Sequence, residues 1–163
     1  MNKTLSFVSL IIVSIVLITV QTTLLSPRAV GPLFPDLNLI FIVFLAVFSE
    51  MRGSMLIAAG NGYMMDVLSG NFPGTFTISR LSAYLLVRNS SDHVYLKKML
   101  ILGLVIFIAT IFTWTFIFTI IRIKSDAAFE VSFSDVVIHG VINTIVGVPL
   151  FWAANKIHAR LQK

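Results

Sequence analysis

Apolar residues run along this chain in six blocks, each closed by a short cluster of charged, proline or glycine positions. The blocks cover about residues 5–25, 37–49, 54–68, 75–87, 99–121 and 136–154, and each predicts a helix. The fifth, MLILGLVIFIATIFTWTFIFTII, holds no ionisable residue over 23 positions. At about 1.5 Å per residue it spans roughly 35 Å, enough for a hydrocarbon core of about 30 Å. The first block exceeds the apolar region of about 7–15 residues found in signal peptides, and no small-x-small cleavage site follows it. It therefore reads as a retained helix, stopped by Ser26-Pro27-Arg28 because proline removes a backbone donor and arginine prefers the headgroup region. The second block opens at Pro35-Asp36, where Asp36 serves as an N-cap. Blocks two to four reach only about 20–23 Å, less than the hydrocarbon core. Either their polar ends lie below the headgroups, shielded by neighbouring helices, or one block enters and leaves on the same side. Short crossings are the expectation.

Composition supports the same class. Only 12% of the 163 residues are charged and 57% are apolar, against about 25% charged in a soluble domain, and the mean hydropathy is +0.95. The expected architecture is an all-α integral membrane protein, a single domain over residues 1–163 built as a compact bundle of about six transmembrane helices. The net charge is +5, but the basic residues sit at block ends, which suits membrane lipids and not nucleic acid. With the amino end inside, Lys3, Arg52, Arg88, Lys97, Lys98, Lys156, Arg160 and Lys163 face the cytoplasm, against Arg28, Arg80, Arg122 and Lys124 outside. That bias places both termini in the cytoplasm. There is no cysteine, the histidines His93, His139 and His158 are scattered, and no glycine-rich phosphate loop occurs. No catalytic, cofactor or metal site is expected.

Polar residues concentrate between Gly60 and Gly74. Asp66 ends the third block, where an unpartnered carboxylate is costly, and Arg80 lies early in the fourth. In a hairpin the two reach similar depth and can pair. The alternatives are a neutral Asp66 or a gate or substrate contact. As an anchor, Asp66 is expected to tolerate Asn better than Ala. Gly60 and Gly62 remove bulk from the third helix and Asn61 between them gains an interhelical hydrogen bond, which argues that this helix is central. Ser69-Gly70-Asn71-Phe72-Pro73-Gly74 is a turn signal, and Arg52-Gly53 lies in the turn before the third helix. Arg88, Asp92, Lys97 and Lys98 form a patch for lipid headgroups or for an acidic cytosolic partner. Asp135 and His139, four apart, share a helical face as a helix-end pair, a partner contact or a proton relay.

The order of these features resembles the bacterial rod shape-determining membrane protein family MreD. The resemblance rests on Pro35-Asp36-Leu37 opening the second helix, Arg52-Gly53, the run Gly62-Tyr63-Met64-Met65-Asp66-Val67-Leu68-Ser69-Gly70, and the turn Phe72-Pro73-Gly74. It covers about residues 35–80. Elsewhere it rests on size and segment order, and the chain uses Phe, Ile and Met where many members use leucine. The resemblance implies a non-enzymatic scaffold or regulatory subunit of the cell-elongation complex in the bacterial cytoplasmic (inner) membrane. It implies as partners an MreC-like bitopic scaffold, an MreB-like cytoskeletal filament and the elongation glycosyltransferase/transpeptidase; a homodimer stays open. It also implies a fold similar to the substrate-binding subunits of energy-coupling-factor transporters. That similarity keeps a second reading open, a small-molecule-binding subunit of a membrane transporter using Asn61, Asp66 and Arg80.

Overall fold

Six α-helices follow one another in the computed structural model, which describes residues 3–23, 34–49, 53–69, 72–91, 99–124 and 132–161. They are α1 (Lys3–Thr23), α2 (Leu37–Phe48), α3 (Ser54–Ser69), α4 (Thr75–Ser91), α5 (Met99–Lys124) and α6 (Phe133–Leu161). No strand occurs among the described residues. Met99–Lys124 and Phe133–Ala154 are long and apolar enough to cross a membrane, while Phe7–Thr22 and Leu37–Phe48 are apolar but shorter.

All six expected helices are present, and the differences lie at their ends. Helix α4 continues past residue 87 to Ser91, and α6 runs from Phe133 to Leu161 instead of 136–154. Hydropathy falls at the first charged residue, whereas a helix continues as long as its backbone groups are satisfied. At the start of α6 the cause is half of a capping box: the Asp135 carboxylate accepts from the Ser132 N–H (3.3 Å), while the Asp135 N–H donates to the Ser132 backbone carbonyl (3.0 Å).

Helix α2, not α3, is the central element. It touches each of the other five helices, and Asn38 to Val43, Leu45 and Ala46 are all buried. Its apolar residues lie all round the axis, the pattern of a helix covered on every side. Around it Ile57, Ala58, Tyr84, Val87, Leu102, Ile106, Ala109 and Phe151 complete one core, with the Phe151 ring against Phe44 and Phe48. Helix α3 buries a single stripe, Ser54, Ile57, Ala58, Asn61, Gly62 and Asp66, and leaves Leu56, Tyr63, Met64 and Val67 exposed. The contacts of successive helices show alternating directions. Gln21 meets Asp36, Gly62 meets Thr77, and Trp114 meets His139.

The two glycines expected to admit a neighbour behave differently. A Cβ on Gly62 would lie 2.5 Å from the Thr77 Cα and 2.6 Å from the Phe76 carbonyl oxygen, so α3 and α4 touch backbone to backbone there. Gly60 has nothing within 4 Å and is exposed, which corrects its expected packing role. Between α3 and α4, Gly74 adopts φ +88°, a left-handed conformation that glycine takes without strain. Gly53 abuts the Phe7 ring, which ties the start of α3 to α1.

This geometry separates two substitutions of identical chemistry. Gly62→Ala should destabilise the protein by about 1–3 kcal/mol, since backbone atoms must move apart. Gly60→Ala should be neutral or stabilising by up to about 1 kcal/mol through helix propensity. Thermal unfolding of both purified variants checks this, and equal behaviour would contradict the close α3–α4 contact.

Candidate functional site

Asp36 lies at the amino end of α2, and its four interactions follow from that position. As N-cap its Oδ1 accepts from the Leu39 N–H (2.9 Å). The same oxygen accepts from Gln21 Nε2 of α1 (3.0 Å). Its Oδ2 pairs with Arg80 Nη2 of α4, an ion pair in which Arg80 is 1% exposed. The Asp36 backbone N–H donates to Asn143 Oδ1 of α6 (2.7 Å). One residue thus joins α1, α2, α4 and α6.

The surrounding polar groups extend this junction. Asn143 Nδ2 donates to the Thr110 hydroxyl of α5 (3.0 Å), which donates to its own Ile106 carbonyl (2.9 Å). Gln21 Oε1 accepts from the Asn38 N–H (2.9 Å) and Asn38 Nδ2 reaches the Met65 sulfur (3.0 Å). Trp114 Nε1 donates to His139 Nδ1 (2.8 Å), which makes that nitrogen the acceptor of a neutral ring and leaves Nε2–H to donate to the Phe34 carbonyl (2.8 Å). On the other side of the bundle Ser14 donates to Asn61 Oδ1 (2.8 Å), joining α1 to α3, the interhelical bond expected of Asn61.

The expected Asp66–Arg80 pair is replaced by two separate devices. Asp66 is the anion at the amino end of α4. Its Oδ2 accepts from the Gly74 and Thr77 N–H groups (both 3.0 Å) and from the Thr77 hydroxyl, and its Oδ1 accepts from the Phe76 N–H (2.8 Å). A carboxylate there satisfies orphan donors and complements the helix dipole. Arg80 lies more than a turn further along α4, where α2 presents Asp36. Its Nε and Nη1 have no hydrogen-bond partner among the described residues, nor do the buried Asn38 Oδ1, Thr75 Oγ1 and Ser79 Oγ.

Other expected contact residues are also engaged internally. Arg88 Nη1 donates to the Ala46 and Ser49 carbonyls (3.2 and 3.1 Å), closing the carboxyl end of α2 instead of forming an outward patch. Asp135 caps α6 and His139 faces Trp114 and Phe34, so the expected Asp135–His139 pair is not formed. Ser69 donates weakly to the Asp66 carbonyl (3.4 Å), and Pro73 is exposed in the turn. Arg52, Gly70, Asp92, Lys97 and Lys98 lie outside the described residues. Gln21, Asn38, Thr110 and Trp114 were not foreseen as members of the network. Their signal was amide and indole groups isolated within apolar blocks, where each needs a partner.

No group of three or more His, Asp or Glu gathers to hold a metal among the described residues. The arrangement is therefore chemically a junction: a buried ion pair with hydrogen bonds directed at four helices. Comparison with protein-family models, curated proteins and solved structures finds no match for this chain.

Removing one partner of the buried pair should be severe. Asp36→Asn or Arg80→Met alone should cost on the order of 3–5 kcal/mol, and the double variant clearly less than their sum, because the second change removes the orphaned charge. Unfolding of the three variants in detergent checks this; strictly additive losses would contradict the pair. At Asp66 the geometry reverses the expected tolerance of Asn. An amide would aim its own donors at backbone N–H groups, so Asp66→Asn should be as damaging as Asp66→Ala, each about 1–3 kcal/mol.

Proposed function

We propose that this chain is a non-enzymatic, multi-pass scaffold subunit of the bacterial inner membrane that serves the cell-elongation machinery for peptidoglycan synthesis. In this reading it packs laterally against an MreC-like bitopic scaffold and, through it, serves an MreB-like filament and the elongation glycosyltransferase/transpeptidase. Both termini are cytoplasmic and all six helices cross, the short ones shielded by their neighbours. The observation that carries the reading is where the motif residues go. Asp36 and Asp66, the acids of the run that resembles the MreD family, are consumed in holding α1, α2, α4 and α6 together and in capping α4. They support a rigid body in which both motif acids serve structure.

What such a body offers to partners is its outer apolar surface. On α3, Leu56, Tyr63, Met64 and Val67 are exposed around the open Gly60. Small residues among larger ones suit close approach by a single transmembrane helix, where association depends on packing. The two membrane-length helices, α5 and α6, support placement in a bilayer.

A second reading, a small-molecule-binding subunit of a transporter, draws on one specific observation. The buried Arg80 keeps two guanidinium nitrogens, Nε and Nη1, without an acceptor among the described residues, and the Ser79 and Thr75 hydroxyls of the same helix have no partner there either. Saturable binding of a metabolite by the purified protein, lost in Arg80→Lys, would favour that reading.

The scaffold reading is tested by depletion in a rod-shaped host that encodes the chain. Cells should widen and round, and a photo-crosslinker at Met64 should capture a bitopic membrane protein while one at Leu104 of α5 should not. Unchanged shape and wall insertion under verified depletion would refute the assignment.

A further inference from the structure

Two grooves lie side by side on the outward surface of α5, near its carboxyl end. The larger, about 470 Å³, runs between α5 and the start of α6 and is walled by Phe118, Phe133 and Val136, with Arg122 at its lip. The smaller, about 150 Å³, is walled by Phe112 and Phe116. Both are lined by Thr115 and Thr119, which therefore form the ridge between them. The ridge is apolar in effect, because the Thr115 hydroxyl donates to the Ile111 carbonyl and the Thr119 hydroxyl to the Thr115 carbonyl, each at 2.8 Å. Neither hydroxyl needs a partner from outside.

The charge is placed at one end only. Arg122 and Lys124 occupy the last turn of α5. The Lys124 ammonium sits 5.8 Å from the centre of the Phe72 ring, directed at the α3–α4 turn. Arg122 is exposed and has no carboxylate partner among the described residues. The neighbouring acid, Asp135, is turned to the Ser132 N–H as a cap.

We propose that this surface seats one anionic diacyl lipid, its two chains lying in the grooves on either side of the Thr115–Thr119 ridge and its headgroup phosphate on Arg122. The inference rests on the membrane placement of α5 and α6 given above, and it goes beyond the scaffold role. The larger groove carries the cation and shares the Thr115–Thr119 ridge with the smaller one, so two chains straddling the ridge below one negative headgroup match the surface. A peptide helix would fit one groove and leave the arginine without an anion. A basic residue at the bilayer surface attracts anionic lipid with an energy that corresponds to roughly five-fold in affinity. A seated lipid also closes the cleft between α5 and α6 at the end where Phe133 begins α6.

The test uses the full chain in nanodiscs of equal parts phosphatidylglycerol and phosphatidylcholine with matched acyl chains, followed by native mass spectrometry of the lipid retained on gentle release. The wild type should retain phosphatidylglycerol in preference, Arg122→Gln should reduce that preference roughly five-fold, and Thr115→Phe should abolish retention of either lipid by obstructing the grooves beside the ridge. Equal retention of both lipids by the wild type, or an unchanged preference in Arg122→Gln, overturns the seat. If Thr115→Phe fails to fold, the Arg122→Gln comparison decides alone. A wild-type chain that does not enter the bilayer sinks the membrane placement and the seat together. One that inserts without selecting phosphatidylglycerol sinks only the seat.

Discussion

A helix buried at both ends must have its terminal backbone groups answered by other parts of the chain, and α2 is such a helix. Its first N–H groups and last carbonyls are covered by other helices, where each unsatisfied group is costly. Asp36 answers the amino end and Arg88 the carboxyl end. Each charge has the sign that the helix dipole favours at its end. Both ends are governed by α4, since Arg80 holds Asp36 and Arg88 holds the Ala46 and Ser49 carbonyls. The two arginines lie about 12 Å apart along α4, at about 1.5 Å per residue, and they set its register against α2 with little freedom to slide.

The remaining polar bonds extend the same logic. Apolar side chains favour burial but specify direction poorly, and within a lipid-like environment they do not distinguish a neighbouring helix from a hydrocarbon chain. Direction comes from the few amides, hydroxyls and the indole that reach across: Ser14 to Asn61, Asn143 to Thr110, Thr144 to the Gly103 carbonyl, Trp114 to His139. Each names one position on one other helix. Gly62 and Gly147 act from the other side by letting elements approach, Gly62 against the backbone of α4 and Gly147 against Ile106 and Ile40.

The helices were legible in the sequence because an apolar run bounded by Pro, Gly and charge has few other readings. The second began at Leu37 behind Asp36 as expected, and all six elements stand in the expected places. Their arrangement was less legible. The Gly60-Asn61-Gly62 cluster pointed to α3 as the centre, yet small residues mark where a neighbour comes close, not how many neighbours there are. The continuous apolar face of α2 was the better signal of full burial. Asp66 and Arg80 were matched because they are near in sequence and opposite in charge. That ignored a nearer claim on Asp66 from the open amino end of α4, and a claim on Arg80 from Asp36, 44 residues away. Long-range pairing of this kind is set by tertiary packing and has no local mark. For Trp114 a local mark did exist: an indole N–H inside an apolar run requires an acceptor, and His139 is that acceptor.

The burial of α2 has a consequence for how the chain is made. At 12 residues it is too short to span a bilayer unaided, since about 20 are needed, and its amino end carries a carboxylate. Among the described side chains that reach Asp36 from other helices, Gln21 is made before α2; Arg80 follows, and Asn143 comes last. Synthesis therefore delivers the innermost helix early and its cover late. Until α6 is in place, α2 lacks part of its cover and Asp36 lacks its Asn143 partner, so a chain cut short before α6 exposes its own centre. The cover of α2 is complete only once α6 has been made, and an incomplete bundle is marked by an Asp36 that has not met Arg80 and Asn143.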